Sequence, residues 1–241
     1  MKALVLAGGH AKRMGKIAEN TPKPLLKVAN KTLLERTLRK LEHLDLEKVY
    51  VSTNSKFGPI MEQWLSGFEY SKDIQLIVEP VATEEEKLGS IGALKYFMNQ
   101  ESVDGNFLVV GGDNIFQDNL QEIFMFYKEK QTPIVGLSNV SMVEARKMGT
   151  VQLDDNKKII DFVEKAENPK STLASAAVYF FPENTKKLIE EYLSEGNHKD
   201  TMGFFIDWLR QKTPTYGFIL DGKWIDIGTP DAYELAQKEF V

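Results

Sequence analysis

The chain has 241 residues, with 30 lysines and arginines against 35 aspartates and glutamates, a formal net charge of −5 and no cysteine. This length and a hydrophobic content of 42% predict a single domain over residues 1–241 with a sizeable core. Without cysteine the chain has no disulfides, thiolate-ligated metals or cysteine nucleophiles. The mild acidity argues against nucleic acid as a partner, because nucleic-acid-binding domains are basic.

No stretch of the sequence predicts a leader or a membrane segment. The first apolar run, residues 3–7, ends at once in Gly8-Gly9, which is too short for a secretory signal. Later apolar runs, such as 107–110 and 174–181, are the size of strands and far below the ~20 residues of a membrane helix. We therefore expect no membrane partner and a cytoplasmic location.

Short apolar runs alternate with helical patterns along the chain. The predicted strands are residues 3–6, 49–53, 75–78, 107–110, 134–137, 176–181 and 224–227. The predicted helices are residues 33–44, 88–98, 120–130 and 185–193, and a last helix opened by Thr229-Pro230-Asp231. Most of these strands lack polar alternation, as strands covered by helices on both faces do. The alternation predicts an α/β fold with a mostly parallel, helix-covered sheet.

Three local signals refine this prediction. Thr32-x-x-Glu35 is a capping box at the start of the first helix. Segments 150–153 and 159–163 flank the turn signal Asp154-Asp155-Asn156 and predict a hairpin. The acidic run 84–87 predicts a solvated loop.

The first predicted strand runs into a glycine loop. Ligands of open α/β sheets bind beyond the carboxyl ends of the strands, and Gly8 and Gly9 would let backbone amides approach a phosphate. Positive charge is supplied by three side chains, Lys12, Arg13 and Lys16. Neither the Walker motif nor the dinucleotide fingerprint fits, because His10 stands where each needs a glycine. On its own, the loop fits a tight turn with exposed basic residues equally well.

The loop is similar to one found in a known enzyme family. LAGGHAKRM at residues 6–14 and TPKPLL at 21–26 resemble the LAGGxGxRL and TPKPLL signatures of the sugar-1-phosphate nucleotidyltransferases. Further blocks match in family order: EP at 79–80, LGSIG at 88–92, GDNIF at 112–116, Gly149, EK at 164–165 and WIDIGTP at 224–230. The resemblance implies a three-layer fold with a Rossmann-like, mixed and mostly parallel sheet covered by helices.

The sequence departs from the family pattern at two places. Ala11 stands where the family has its third loop glycine; this narrows the backbone freedom there and should be tolerated if the φ of Ala11 is negative. Ser175-Ala176-Ala177 stands where the family has Asn-Ala-Gly, whose asparagine helps to hold the sugar. The second departure leaves the identity of the sugar open.

The resemblance also implies the reaction. A sugar-1-phosphate attacks the α-phosphorus of a nucleoside triphosphate and releases pyrophosphate, with Mg²⁺ as cofactor. Such a transfer needs positioning and charge neutralisation more than a covalent nucleophile. GDNIF resembles the glucose-1-phosphate thymidylyl and uridylyl branch, which favours dTTP or UTP with glucose-1-phosphate as substrates.

The functional residues of the family carry over to matching positions in this chain. The residues implied for the nucleotide are Leu6, Ala7, Gly8, Gly9, Arg13, Lys23, Glu79, Gly89 and Asp113. Those implied for the sugar phosphate are Gly149, Glu164, Lys165 and Ser175. Arg13, Lys23 and Asp113 would be catalytic, and Asp113 with Asp226 would hold Mg²⁺, which prefers hard carboxylate oxygens.

Other interpretations stay open. An ionised Glu79 can accept N3–H of uracil or thymine and equally N1–H and N2–H of guanine, so mannose-1-phosphate guanylyltransferase is an alternative. Nucleotidyltransferases with a non-hexose acceptor share LAGGxxxRMG but lack the TPKPLL and WIDIGTP blocks. A catalytically silent regulatory homologue is disfavoured, because the residues that such proteins tend to lose are present, namely Arg13, Lys23, Asp113 and Asp226. No hexapeptide repeat predicts a C-terminal β-helix, which leaves a homo-oligomer only through other surfaces.

Overall fold

A computed structural model describes residues 1–101 and 105–240. Its strands are β1 (Lys2–Leu6), β2 (Lys27–Val28), β3 (Lys31–Thr32), β4 (Lys48–Asn54), β5 (Ile74–Glu79), β6 (Phe107–Gly111), β7 (Asn114–Phe116), β8 (Ile134–Asn139), β9 (Gly149–Leu153), β10 (Ile159–Glu164), β11 (Leu173–Phe181), β12 (Tyr216–Ile219) and β13 (Trp224–Asp226). Its α-helices are α1 (Leu33–Leu41), α2 (Gly58–Ser66), α3 (Gly89–Gln100), α4 (Gln121–Lys130), α5 (Met142–Ala145), α6 (Thr185–Ser194), α7 (Met202–Lys212) and α8 (Pro230–Glu239). Two 3₁₀ segments lie at Lys12–Ala18 and Lys23–Leu25. The predicted α/β fold, a mixed and mostly parallel central sheet flanked by helices, is confirmed.

The described residues group into two units by their contacts. The first contains Met1–Leu88, Val110–Leu120 and the described residues from Gly222 onward. The second contains the described residues of Gly89–Val109 and Gln121–Asp221. The prediction of one nucleotidyltransferase domain over the whole chain stays a prediction. Among the described residues, no helix has the length and apolar character needed to cross a membrane.

Three strands of the first unit run parallel in the order β1-β4-β5. Leu6 at the end of β1 lies opposite Ser52 of β4. Asn54 at the end of β4 lies opposite Glu79 at the end of β5. Because the carboxyl ends of parallel strands share one edge of a sheet, the glycine loop after Leu6 and the end of β5 lie at the same edge.

A separate two-stranded sheet of the first unit joins distant parts of the chain. Strands β7 and β13 pair antiparallel, with Asp226 opposite Asn114 and Ile225 opposite Ile115. Asp113 immediately precedes Asn114, and its carbonyl accepts a hydrogen bond from the Ile227 amide at 3.2 Å. The pairing therefore brings the two predicted metal carboxylates, Asp113 and Asp226, onto neighbouring backbone positions.

The second unit has a mixed arrangement of strands. Strands β9 and β10 form the antiparallel hairpin that the turn signal predicts. Strand β11 pairs antiparallel with β8 and β9, and its register with β8 shifts between Ser175 and Tyr179. Strand β12 adds to β8 in parallel. Helix α7, which no sequence pattern predicted, packs against β10.

Helix α1 shows how local signals set the ends of a helix. The Thr32 hydroxyl accepts a hydrogen bond from the Glu35 amide at 3.0 Å, so Thr32 is the predicted N-cap. At the other end, the α-helix stops at Leu41, three residues before the predicted end at Leu44. The Leu44 amide bonds to the Leu41 carbonyl at 3.1 Å, which closes a turn instead of extending the helix.

An apolar cluster in the first unit unites five separated segments. Its buried members are Met14, Ala18, Leu26, Val28, Leu33, Ile115, Ile227, Ala236 and Phe240. Ile227 is fully buried in this cluster and directly follows Asp226. Burial of such a side chain contributes about 1.5–3 kcal/mol.

Replacing Ile227 with alanine should lower the free energy of unfolding by about 2–5 kcal/mol, because a cavity opens in the cluster. Urea unfolding followed by circular dichroism measures this change. Ile160→Ala is the control, since the Ile160 side chain is 53% exposed and its loss should change stability by less than about 0.5 kcal/mol. Equal effects of the two variants would contradict the assignment of Ile227 to the core.

Candidate functional site

The start of the glycine loop is held by backbone hydrogen bonds within the first unit. The Leu6 carbonyl accepts from the Gly112 amide at 2.8 Å, and the Ala7 amide donates to the Ser52 carbonyl at 3.0 Å. The four predicted nucleotide-binding residues of this loop, Leu6, Ala7, Gly8 and Gly9, thus leave the end of β1 on a fixed path. Among the described residues, and apart from the chain neighbours of Gly9, no atom lies within 4 Å of the place where a Gly9 side chain would begin. The backbone at Gly9 is therefore open to a ligand.

Glu79 lies directly over the glycine loop. A Cβ atom placed on Gly8 would lie 2.9 Å from Glu79 Oε1, so a glycine at position 8 makes room for this carboxyl group. Asn54 Nδ2 donates to the Gly8 carbonyl at 2.9 Å and keeps the loop against β4. Glu79 is 4% exposed. Burial raises the pKa of the Glu79 carboxyl to about 7, against a smaller opposing effect of the Ser52 hydroxyl.

Ala11 has a left-handed backbone, with φ +53° and ψ +32°. The negative φ that would make alanine easy to tolerate at this position is therefore not present. The loop turns at this residue into the 3₁₀ segment, whose first hydrogen bond runs from the Met14 amide to the Ala11 carbonyl at 2.9 Å. An L-residue in this conformation costs roughly 1–2 kcal/mol, which explains why the family pattern has glycine here.

The glycine loop also contacts the acidic run 84–87, which sequence reasoning treated only as a solvated loop. The His10 ring nitrogen Nε2 lies 3.1 Å from the carbonyl of Ala82, just before the run, and Nδ1 lies 3.6 Å from Glu84 Oε2 within it. Lys12 Nζ donates to Glu85 Oε1 at 3.1 Å, with both side chains largely exposed. Glu85 is solvated as predicted, and the added contacts connect the acidic run to the loop.

Lys23 and Asp113 form an ion pair. Lys23 is 8% exposed, and its Nζ lies 2.5 Å from Asp113 Oδ2. The Asn114 side-chain amide donates to the other carboxylate oxygen at 2.8 Å. The TPKPLL loop and the GDNIF block, which are 90 residues apart in the chain, are thereby brought together. A buried lysine needs such a partner, because an unpaired buried charge is costly.

Gly228 lies beside two of the predicted site residues. A Cβ atom placed on Gly228 would lie 3.2 Å from Arg13 Nη2 and 3.3 Å from Asp226 Oδ2. Glycine at this position therefore leaves room for the Arg13 guanidinium next to the Asp226 carboxylate. Gly228 was not among the predicted site residues, although it lies in the WIDIGTP block.

The donor set around Asp113 and Asp226 fits a magnesium ion. Their two carboxylates supply hard oxygens, and Mg²⁺ is commonly bound by one or two carboxylates together with substrate phosphates. The Asn114 side-chain oxygen is buried and has no hydrogen-bond partner among the described residues, so a further hard oxygen lies next to this pair. In the described part of the chain no group of three acidic or histidine side chains is gathered for a metal. The phosphates would have to complete the site.

Two predicted sugar-phosphate residues, Gly149 and Glu164, are direct cross-strand partners in the hairpin of the second unit. Burial raises the pKa of the Glu164 carboxyl. Lys165 Nζ lies 3.9 Å from Glu164 Oε1, and its side chain is 63% exposed. The Lys165 backbone has φ +50°, a strained conformation for a residue other than glycine.

Ser175 and Gly89 lie in the second unit in different surroundings. The Ser175 hydroxyl forms a hydrogen bond with the Tyr179 hydroxyl at 2.9 Å, across the register shift in β11. Ala177, which replaces the glycine of the family pattern, has φ +55°. Both departures from a family glycine, Ala11 and Ala177, thus fall on left-handed backbone.

Gly89 has φ +76°, and a side chain there would overlap the backbone of Asp200. The next two amides of α3 are occupied by the segment before α7. The Ser90 amide donates to the Asp200 carbonyl at 3.1 Å, and the Ile91 amide donates to the Lys199 carbonyl at 3.0 Å. Sequence reasoning missed Lys199 and Asp200, since nothing in the sequence links these positions to the LGSIG block.

Replacing Ala11 with glycine should raise the free energy of unfolding by about 0.5–1 kcal/mol, because glycine adopts the left-handed backbone without a steric penalty. Thermal and urea unfolding measure the change. Ala18→Gly is the control, since Ala18 is buried at the end of the same 3₁₀ segment. This variant should be less stable, because glycine loses more conformational freedom on folding. A destabilised Ala11→Gly variant would contradict the assigned backbone.

Glu79 should make stability depend on pH. Its pKa rises from 4.5 in the unfolded chain to about 7 in the folded chain, so the folded state holds the proton more tightly. Stability due to this group is present below about pH 4.5 and is lost as the pH rises through 7. Between pH 5 and 8 the loss amounts to about 2–3 kcal/mol.

Glu79→Gln should remove most of this pH dependence, as urea unfolding at several pH values would show. Glu122→Gln, at an exposed position in the first turn of α4, is the control. Parallel stability curves for the native chain and Glu79→Gln would contradict the raised pKa.

The chain is similar to known proteins over nearly its whole length. Residues 2–240 match the model of the nucleotidyl transferase family. Over 230 residues the chain is 31% identical to the bifunctional protein GlmU of Methanocaldococcus jannaschii, covering 95% of this chain and 52% of that protein. It is 29% identical over 244 residues to a glucose-1-phosphate adenylyltransferase of Thermosipho africanus, covering 96% and 59%. The chain thus spans about half the length of the curated relatives that it matches.

A solved structure shares the fold. A Bacillus anthracis protein described as a glucose-1-phosphate thymidylyltransferase, in complex with a sucrose, superposes with a TM-score of 0.86. It is 24% identical to the chain, and the superposition covers 99% of this chain and 94% of that one. The resemblance read from the motifs is confirmed by the family match over residues 2–240. The chain belongs to the nucleotidyl transferase family.

Proposed function

We propose that this chain is a Mg²⁺-dependent enzyme that transfers a nucleotidyl group from a nucleoside triphosphate to a hexose-1-phosphate. The observation that carries the proposal is the convergence in the first unit of the glycine loop, the Lys23–Asp113 ion pair and Asp226. This set combines amides, cations and hard carboxylate oxygens, which are the groups that a triphosphate with a divalent cation requires.

The bond changes balance without a covalent intermediate. An oxygen of the sugar phosphate forms a bond to the α-phosphorus of the nucleotide. The bond from that phosphorus to the oxygen bridging to the β-phosphate breaks, and pyrophosphate leaves with the electron pair. Both substrates are polyanions, so the protein has to neutralise charge and align the groups.

The residues of the first unit have complementary roles in this proposal. Backbone amides of Gly8 and Gly9 bind phosphate oxygens, and Arg13 and Lys23 neutralise the charge that accumulates on the departing pyrophosphate. Asp113 and Asp226 would hold Mg²⁺, which when bound supplies further neutralisation of phosphate charge. In the free protein Lys23 neutralises Asp113 through their ion pair.

The residues of the second unit fit the acceptor. Lys165 is the proposed contact of the sugar phosphate group, and its largely exposed ammonium is free to reach an anion. The buried Glu164 carboxylate is the proposed acceptor for sugar hydroxyls, with support from the Gly149 backbone. Ser175 is the proposed replacement for the asparagine of the family pattern.

We favour dTTP or UTP with glucose-1-phosphate, because GDNIF resembles the thymidylyl and uridylyl branch. The Thermosipho africanus relative, by its name, acts on glucose-1-phosphate and supports that acceptor. Glu79 accommodates guanine as well, so a guanylyltransferase acting on mannose-1-phosphate is the second candidate. A cytoplasmic location fits these substrates.

Pyrophosphate release over a matrix of nucleotides and sugar phosphates tests the proposal. The nucleotides are dTTP, UTP, GTP, CTP and ATP, and the acceptors include glucose-1-phosphate and mannose-1-phosphate, each with and without Mg²⁺. We expect release that needs both substrates and Mg²⁺, highest with dTTP or UTP and glucose-1-phosphate. No release with any pair would contradict the proposal and favour a silent homologue.

Asp113→Asn should reduce turnover by roughly a hundredfold or more, because one charged ligand of the cation and the partner of Lys23 are lost together. The pyrophosphate assay measures turnover, and circular dichroism confirms that the variant is folded. Asp231→Asn is the control, since Asp231 is an exposed acid in the first turn of α8. Turnover of Asp113→Asn near that of the control would remove Asp113 from the reaction.

A further inference from the structure

The Glu164 carboxylate lies between two glycine backbones that belong to different elements of the second unit. On one side is Gly149 of β9, where a Cβ atom would lie 2.7 Å from Glu164 Oε2. On the other side is Gly203 in the first turn of α7, where a Cβ atom would overlap the same oxygen. Only glycine at both positions leaves the space that this carboxylate occupies.

Phe162 forms the rest of this packing. Its ring would lie 2.6 Å from a Cβ atom on Gly149 and 2.8 Å from one on Gly203. The ring is buried and is held by the core, whereas the carboxylate is the end of a flexible side chain. A methyl group added at position 203 would therefore displace the flexible Glu164 carboxylate furthest, while the ring, which is 2.8 Å away, would have to shift by a smaller amount.

Helix α7 has a second attachment to β10 that does not depend on Gly203. Arg210, near the other end of the helix, donates to the Ile160 carbonyl at 2.9 Å. The Arg210 guanidinium also lies 3.6 Å from the Asp161 carboxylate. These contacts keep the helix on the strand, so a change at position 203 should act on Glu164 more than on the position of α7.

In the described part of the chain, no group donates a hydrogen bond to the Glu164 carboxylate. Its side chain is 12% exposed, and its ion pair with Lys165 Nζ is 3.9 Å long, beyond hydrogen-bond distance. A largely buried carboxylate that accepts no hydrogen bond from the described residues is unfavourable, and burial raises its pKa accordingly. A ligand that supplies hydroxyl donors would satisfy it.

We propose that Gly203 is a positioning residue for the acceptor substrate. By lacking a side chain at the start of α7, it sets the place of the Glu164 carboxylate, which in turn accepts hydrogen bonds from the hydroxyls of the sugar phosphate. This inference rests on the proposed function, since it names the residue that sets the geometry of the acceptor's hydroxyl contact.

The first experiment compares the Michaelis constants of the native chain with those of Gly203→Ala. Displacing an ionised acceptor removes a hydrogen bond to a charged group, so KM for the sugar phosphate should rise on the order of tenfold or more. KM for the nucleotide should stay within about twofold, because the nucleotide does not contact Glu164 in this proposal. Phe204→Ala, the next position on α7 with a side chain 44% exposed, is the matched control and should change neither constant.

A rescue variant separates positioning from a general packing effect. Glu164→Asp is shorter by one methylene, about 1.5 Å, and gives up part of the space that the Gly203→Ala methyl group needs. In the Glu164→Asp background, Gly203→Ala should therefore raise KM for the sugar phosphate much less than in the native chain. If Gly203→Ala acted by loosening α7, it would instead lower the thermal stability and raise KM for both substrates. The Glu164→Asp background would then not reduce these effects.

Calorimetric binding of glucose-1-phosphate, with dTTP and Mg²⁺ present and absent, distinguishes the inference from the proposed function. If the native chain binds glucose-1-phosphate and Gly203→Ala binds it more weakly, the inference is supported. If in addition no pair of substrates turns over, only the proposed function is contradicted. Unchanged KM and binding in Gly203→Ala overturn the inference while the proposed function stands. A native chain that neither binds nor turns over a sugar phosphate overturns both.

Discussion

Burial of one small apolar cluster underlies the candidate nucleotide site. Each charged residue of that site is close in sequence to a member of the cluster: Arg13 precedes Met14, Lys23 precedes Leu26, Asp113 precedes Ile115 and Asp226 precedes Ile227. Apart from the buried Lys23, these charged side chains are partly or largely solvated. They could not gather by themselves, because opposite charges stabilise each other little in water and like charges repel. The apolar neighbours bring their segments together, and the β7–β13 pairing then sets the register of the two aspartates.

The same structure accommodates one buried glutamate, Glu79, and one largely buried glutamate, Glu164, next to glycines whose lack of a side chain leaves the space. Gly8 makes room for Glu79 in the first unit, and Gly149 with Gly203 makes room for Glu164 in the second. Neither carboxylate has a close cationic partner in the described part of the chain, and burial raises the pKa of both. Such groups reduce stability at neutral pH, and the ligand roles proposed for Glu79 and Glu164 would account for their presence.

Local patterns predicted most regular elements, and the misses have physical causes. Helix α7 contains Phe204, Phe205 and Trp208, aromatic residues that also suit strands, and its N-cap residue Thr201 makes no side-chain cap hydrogen bond. Strand β7 has only three residues and exists through its partner β13. The left-handed backbone of Ala11 was also missed, because alanine rarely adopts it. The family pattern indicated this conformation, since it has glycine at that position.

The sequence by itself determined the fold class, the family and the candidate residues, because these depend on periodicity along the chain and on motifs of adjacent residues. It also predicted the hairpin of β9 and β10 and the N-cap of α1, both local in sequence. Only the tertiary structure decided which of those residues meet. The Lys23–Asp113 ion pair spans 90 positions, and the Gly203–Glu164 contact joins a helix to a strand. Contacts of this range depend on packing among distant segments, which leaves no periodic trace in the sequence.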